Sequence, residues 1–179
     1  SRNIKAGIYF NEIGILCGRR IVDYVIKKID KKIRIKWHYK EGKTVKKNSE
    51  VASIFGPANK TIPCERIILN FLQKLSGIAT LTSDYIAQLK ESKIKLLDTR
   101  KTTPGWRYLE KYAVKIGGGH NHRMDLSEFI LIKDNHIKIC GGIRKTLEKI
   151  SKKNTKRKIE VEVKNISQIN DAVKFKINQ

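Results

Sequence analysis

The chain has 179 residues, 40% of them apolar, which suits one ordinary domain or one small domain plus part of a larger one. No apolar run approaches the ~18–20 residues that a membrane-spanning helix needs, and the start, Ser1-Arg2-Asn3-Ile4-Lys5, does not resemble a signal peptide. The formal net charge of +22 points to a polyanionic partner: nucleic acid, anionic lipid or phosphorylated small molecules. That charge is spread along the chain, with 15 Lys and Arg against 5 Asp and Glu in residues 1–60 and 24 against 12 in residues 61–179. No segment is a basic tail, so specific nucleic-acid binding and membrane attachment are not expected. Cys17, Cys64 and Cys140 are far apart and form no C-x-x-C, which reads as reduced cytoplasmic thiols rather than a disulfide framework or a zinc site.

In chain order, residues 4–10 and 13–16 read as short strands. Residues 19–29 place Ile21, Val22, Val25, Ile26 and Ile29 on one helical face. Residues 32–39 alternate Ile33, Ile35 and Trp37 with Lys32, Arg34, Lys36 and His38, the pattern of a half-buried strand. Glu41-Gly42-Lys43 is a turn, and Val51 to Phe55 is a strand ended by Gly56-Pro57. After Pro63 the pattern changes to a long helical stretch over 64–90, with a possible bend at Gly77 and a cap at Thr80 to Thr82. Strands then alternate with helices. Strands are expected at 94–97, 129–132 and 159–163, and helices at 104–116, 143–150 and 167–175. Such alternation implies a parallel sheet or barrel, whose chemistry sits at the C-terminal ends of its strands.

Those strand ends are polar. The first runs Asp98-Thr99-Arg100-Lys101-Thr102-Thr103 and the second Lys133-Asp134-Asn135-His136. The third strand carries Glu160 and Glu162 at alternate positions, so both point the same way. Between the first two lies Gly117-Gly118-Gly119-His120-Asn121-His122-Arg123. If the strands are parallel neighbours, Arg100, Lys101 and Lys133 share one rim and the glycine-rich loop delivers His122 and Arg123 to it. The result is a cationic cup for a ligand with several carboxylates or phosphates. Other readings stay open. The cations could be solvated loop residues, the glycines a helix stop, and His120 and His122 half of a metal site, although no third ligand is suitably spaced.

Three blocks go further: ERIILNFLQKLSGIATLT (65–82), LLDTRKTTPGWRYLEKYAVKIGGGHNHRMDL (96–126) and LIKDNHI (131–137). With IEVEV (159–163), GILCGRRIVDYVI and EGKTVKKNSEVASIFGPA, they closely resemble the quinolinate phosphoribosyltransferases, also called carboxylating nicotinate-nucleotide pyrophosphorylases. The resemblance implies an α/β fold: a partial N-terminal α/β sandwich domain over 1–63, then the first part of an open α/β barrel over 64–179. It implies transfer of a phosphoribosyl group from phosphoribosyl pyrophosphate to quinolinate. The products would be nicotinate mononucleotide, pyrophosphate and carbon dioxide, with magnesium required. The quinolinate carboxylates would be held by Arg66, Arg100, His122 and Arg123, with Thr99 at the same rim. Lys101 and Lys133 would serve both substrates, and Glu162 would hold the donor's ribose or its metal. A two-fold dimer, or an assembly of such dimers, would share its sites, with Arg66 lent to the neighbour's barrel. A helix of about 25 residues is nearly 40 Å long, so Arg66 is expected to lie far from its own Arg100 unless the chain doubles back near Gly77. The family also has elements before the first strand here and, beyond Gln179, a strand ending in Leu-Asp-Asn and phosphate-binding glycine loops. The chain is therefore expected to be incomplete. A paralogue with another pyridine substrate, a non-catalytic remnant and a nucleic-acid binder are the competing readings.

Overall fold

The computed structural model describes residues 2–89, 93–153, 155–175, 177 and 178, in two compact units, 1–122 and 123–179. The first unit opens with strand β1 (Asn3–Tyr9), strand β2 (Gly14–Ile15), helix α1 (Arg19–Ile29), and strands β3 (Arg34–Trp37), β4 (Thr44–Val45) and β5 (Glu50–Pro57). β1, β5 and β3 form an antiparallel sheet in that order, with Lys5 opposite Phe55 and Phe55 opposite Arg34. β5 is central, and its Val51, Ala52, Ser53 and Ile54 are all buried, whereas the edge strand β3 keeps the expected alternation. α1 buries Val22 and Ile26, and with Leu16, Ile33, Val45 and Ile68 they form one continuous apolar core. The N-terminus of α1 is capped from a distance. The Glu41 carboxylate accepts from the backbone N–H of Gly18 at 2.7 Å and of Arg19 at 3.1 Å, placing a negative charge at the positive end of the helix dipole.

Helix α2 (Ala58–Leu89) is one unbroken helix of 32 residues. It starts earlier than the periodicity predicts, because Gly56-Pro57 ends the strand and Pro63 falls early enough for the helix to run through it. Gly77 does not interrupt it. The neighbouring turns are fixed by hydroxyls that take over backbone bonds of the β2 segment. Thr80 Oγ1 accepts from Ile15 N at 2.8 Å, and Ser76 Oγ accepts from Cys17 N at 3.0 Å and donates to Cys17 O at 3.2 Å. Both α2 hydroxyls thus satisfy groups whose burial without a partner would be costly.

Helix α3 (Arg107–Ile116) packs against α2 through Leu75, Ala79 and Ala113. It begins three residues later than expected. Pro104-Gly105 is instead a turn in which Trp106 N donates to Thr103 O at 2.9 Å and Gly105 has φ +77, the Pro-then-Gly arrangement of a type II turn. The expected strand over 94–97 reduces to a single parallel bridge between Leu97 and His120. Ile94 is 66% exposed, and the short loop at His120 pairs with the segment for one residue only.

The second unit contains strand β6 (Ile130–Ile132), helix α4 (Asp134–Ile139), helix α5 (Ile143–Ser151), strand β7 (Ile159–Val161) and helix α6 (Ile166–Ala172). β6 and β7 are parallel, with Ile132 opposite Val161, as the strand–helix alternation predicts. Their core is Ile132, Ile137, Ile143, Leu147, Ile159 and Ala172. α4 occupies residues that read as a polar strand end, because the His136 ring turns back and accepts the Lys133 N–H at 2.9 Å, closing the first helical turn.

Candidate active site

In the first unit, one buried carboxylate organises the residues after Leu97. Asp98 N donates to His120 O at 3.1 Å and His120 N to Leu96 O at 2.8 Å, which sets the two segments side by side. The Asp98 Oδ1 atom accepts from His122 N at 2.8 Å and pairs with Lys111 Nζ. Lys111 is only 1% exposed. With its amide nitrogen turned inward, Asn121 donates to Asp98 Oδ2 at 3.1 Å and to Lys111 O at 2.9 Å. Thr99, Arg100 and Lys101 therefore leave a fixed point that also holds His122.

Beyond that point the loop is held twice more. Thr99 Oγ1 accepts from Lys101 N at 3.1 Å. Glu110 on α3 accepts from Thr103 N at 3.1 Å and from Thr103 Oγ1 at 2.7 Å, and faces Lys74 Nζ at 3.3 Å. Burial raises the Glu110 pKa, but the two Thr103 bonds and Lys74 outweigh it and leave the carboxyl below its ordinary value. Thr99, Lys101, Lys74 and Glu110 line a cavity of about 370 Å³. The Arg100 Nε atom is buried and has no hydrogen-bond partner among the described residues. Such an orphaned donor suits an anion.

The glycine run is more than a helix stop. Gly117 ends α3, and a Cβ on it would lie 2.3 Å from Ala79 O, while one on Gly119 would lie 2.8 Å from Val114 Cγ1 and 3.0 Å from Thr82 Cγ2. These glycines let the 117–122 backbone press against α2 and α3 on its way to His122.

Arg66 is exposed on α2. Asp98, Thr99, Lys101, Thr102 and Thr103 share a cavity with Lys74 of the same helix. Arg66 is eight residues before Lys74, about 12 Å along the helix.

In the second unit, Arg123 is 6% exposed. Its Nη1 donates to Phe129 O at 3.1 Å, its guanidinium lies 5.4 Å from the Phe129 ring centroid, and its Nε has no partner among the described residues. Lys133 and Glu162 follow the ends of adjacent parallel strands, and their charged ends are 3.7 Å apart. Glu162 is exposed and stands outside β7, which ends at Val161 rather than Val163. Among the described residues no three His, Cys, Asp or Glu side chains gather in a metal-sized group. No helix among them is long and apolar enough to cross a membrane.

The profile of the quinolinate phosphoribosyl transferase N-terminal domain matches residues 1–76, and that of the C-terminal domain matches residues 78–178. The chain belongs to the quinolinate phosphoribosyl transferase family. Among curated relatives it is 40% identical over 173 residues to a probable carboxylating nicotinate-nucleotide pyrophosphorylase of Bacillus subtilis, covering 96% of this chain and 60% of that protein. It is 36% identical to the chloroplastic carboxylating nicotinate-nucleotide pyrophosphorylase of Arabidopsis thaliana, covering 96% of this chain and 50% of that one. Among solved structures, the nicotinate-nucleotide pyrophosphorylase of Francisella tularensis superposes with a TM-score of 0.93 at 41% identity, covering 99% of this chain and 63% of that chain. The chain thus spans about half to three fifths of the length of these relatives. Its mixed α/β fold is that of the family, including the parallel strand–helix part that corresponds to a partial barrel.

Sequence reasoning missed Asp98, Lys111, Asn121, Lys74 and Glu110 as parts of this cluster. A lysine inside an amphipathic helix reads as a solvated residue. The signal available was its place on α3, two residues before the buried Ala113 and two after Leu109.

Proposed function

We propose that the protein carrying this chain joins quinolinate to phosphoribosyl pyrophosphate, releasing nicotinate mononucleotide, pyrophosphate and carbon dioxide in the de novo synthesis of NAD. The observation that carries this reading is the Asp98-centred cluster. It presents Thr99, Arg100 and Lys101 beside His122, with an orphaned Arg100 Nε, in a chain whose relatives are named for this reaction. Arg100, His122 and Arg123 hold the two carboxylates of quinolinate through charge-assisted hydrogen bonds. Lys101 and Lys133 serve both substrates. Held in this way, the pyridine nitrogen forms its bond to the anomeric ribose carbon as the bond to pyrophosphate breaks. The adjacent carboxylate then leaves as carbon dioxide, its electron pair drawn into the cationic ring, and that ring carbon takes up a proton. The protein's part is to position charges and exclude water.

Magnesium, when bound, would neutralise the departing pyrophosphate. Glu162 fits that role as a single exposed carboxylate, because magnesium keeps several waters and takes most of its protein-side charge from one or two carboxylates plus substrate phosphates. Lys133, 3.7 Å from it, steadies the same carboxylate. Arg66 serves the site of a second copy in a two-fold dimer. Its exposure and its position two turns before Lys74 support this. The free thiols of Cys17, Cys64 and Cys140 favour the cytoplasm.

Calorimetry with quinolinate and with nicotinate tests the reading. Losing one charge-assisted hydrogen bond costs about 1.5–3 kcal/mol, so quinolinate should bind at least about tenfold more tightly. Equal affinity for the two ligands would refute a site built for a dicarboxylate.

A further inference from the structure

Lys111 and Asp98 present an unexplained pair. Both are withdrawn from solvent, with side chains 1% and 8% exposed, and neither is among the residues expected to touch a substrate. Within 96–103 and 117–123, Asp98 is the only acidic residue, surrounded by Arg100, Lys101, His120, His122 and Arg123 in sequence. If the cluster served only to gather positive charge for an anion, a buried carboxylate would oppose it. If it served only packing, an apolar pair of similar volume would serve as well or better, since a buried ion pair is a poor source of net stability. The bonds that Asp98 makes are directional instead. One oxygen takes Lys111 Nζ and the His122 N–H, and the other takes the Asn121 amide. The same residue's backbone N–H is bonded to His120 O at 3.1 Å.

We propose that Asp98, Lys111 and Asn121 form a buried positioning network that sets the spacing between Thr99-Arg100-Lys101 and His122, and thereby makes the site select a ligand with two carboxylates over one with a single carboxylate. Lys111 neutralises the carboxylate, so the network adds no net charge to the site. The carboxylate's remaining lone pairs fix the two segments relative to each other. Arg100 and Lys101 lie on one side of this tie and His122 on the other, so each end grips one part of the ligand. Loosening the tie leaves either grip intact but spoils their mutual distance. A ligand that needs both ends loses affinity, and a ligand that needs one does not. None of the three residues touches the substrate. The inference rests on the functional reading above, and selectivity separates the two.

The test measures quinolinate and nicotinate affinity by calorimetry in the wild-type protein and two variants. Asp98→Asn/Lys111→Met removes both charges at once, so that no buried lysine is left unpaired. Asn121→Ala removes one arm and keeps the ion pair. Quinolinate affinity should fall at least about tenfold in the double variant, the cost of one charge-assisted bond. Nicotinate affinity should change less than about threefold, so the preference collapses. Asn121→Ala should move the preference in the same direction by about threefold, and it decides the matter alone if the double variant does not fold. Variants that fold and keep the wild-type preference overturn the network's role. So do variants that weaken both ligands equally, since that is what a merely structural role gives. A wild-type protein with no preference for quinolinate would instead defeat the functional reading, and the network with it.

Discussion

Replacing either of two glycines by alanine should have opposite effects, and the structure gives the reason and the size. Gly117 has φ −72 and ψ 0, which any residue adopts, so Gly117→Ala carries no backbone strain. Its cost is steric. The new Cβ would stand 2.3 Å from Ala79 O, 2.8 Å from Thr82 Cβ and 3.0 Å from the Ala79 carbonyl carbon. Two of these are backbone atoms of α2, which cannot rotate away, so the end of α3 must move off the long helix. Overpacking of this kind costs about 1–3 kcal/mol. Gly77, in the middle of α2, has nothing within 4 Å of its Cβ position. Gly77→Ala therefore gains helix propensity without a clash, about 0.8–1 kcal/mol. At about 2–4 °C per kcal/mol for a chain of this size, Gly117→Ala should lower Tm by roughly 2–12 °C and Gly77→Ala should raise it by roughly 2–4 °C. Calorimetric melts of the purified protein, supported by urea midpoints, measure both. A Gly117→Ala protein as stable as wild type would show that the close approach of the glycine run to α2 is wrong. A Gly77→Ala protein that melts lower would show that this helix face is covered.

Two further outcomes follow from the site. Mixing Arg66→Ala with Lys101→Ala under conditions of subunit exchange should restore about half of the wild-type activity per heterodimer if Arg66 completes a neighbour's site; proven exchange with no recovery would place Arg66 in its own chain's site or in none. The Glu110 carboxyl lies below its ordinary value of 4.5, so its contribution to stability is fully present above about 4.5 and lost as pH falls through the lower folded value. The stability gap between wild type and Glu110→Gln, read from urea midpoints, should therefore shrink as pH drops from about 6 to below 4. A gap that stays constant across that range would mean that Thr103 and Lys74 do not favour the ionised form.

Periodicity made α1 and β3 legible because each has a single apolar face and little else competing. It also revealed the parallel pairing of β6 with β7, since strands separated by helices must run that way. It failed where one distant group decides the structure. The strand expected at 94–97 depended on a ladder that the His120 loop supplies for one residue only. Pro104 was expected to start a helix, yet Gly105 beside it favours a turn. α4 escaped notice because its first turn is closed by the His136 ring, an interaction that composition does not display. At the site, the cations after each strand were visible as charge. The buried Asp98–Lys111 pair was not, because its two members are thirteen residues apart and lysine is ordinarily a surface residue.

Glu41 joins segments that a division by family profile would separate. Its carboxylate takes the N–H groups of Gly18 and Arg19 and also the Tyr112 hydroxyl, at 2.7 Å. Burial and this neighbour push the Tyr112 hydroxyl pKa up, so it remains a donor at all ordinary pH. The boundary between the N- and C-terminal profiles falls at residues 76 to 78, in the middle of α2. Ser76 and Thr80, one turn apart across that boundary, bond to the same short stretch at Ile15 and Cys17. Residues matched by two profiles thus share one hydrogen-bonded framework within the first unit. Hydrogen exchange should open the α1 N-terminus and α3 together.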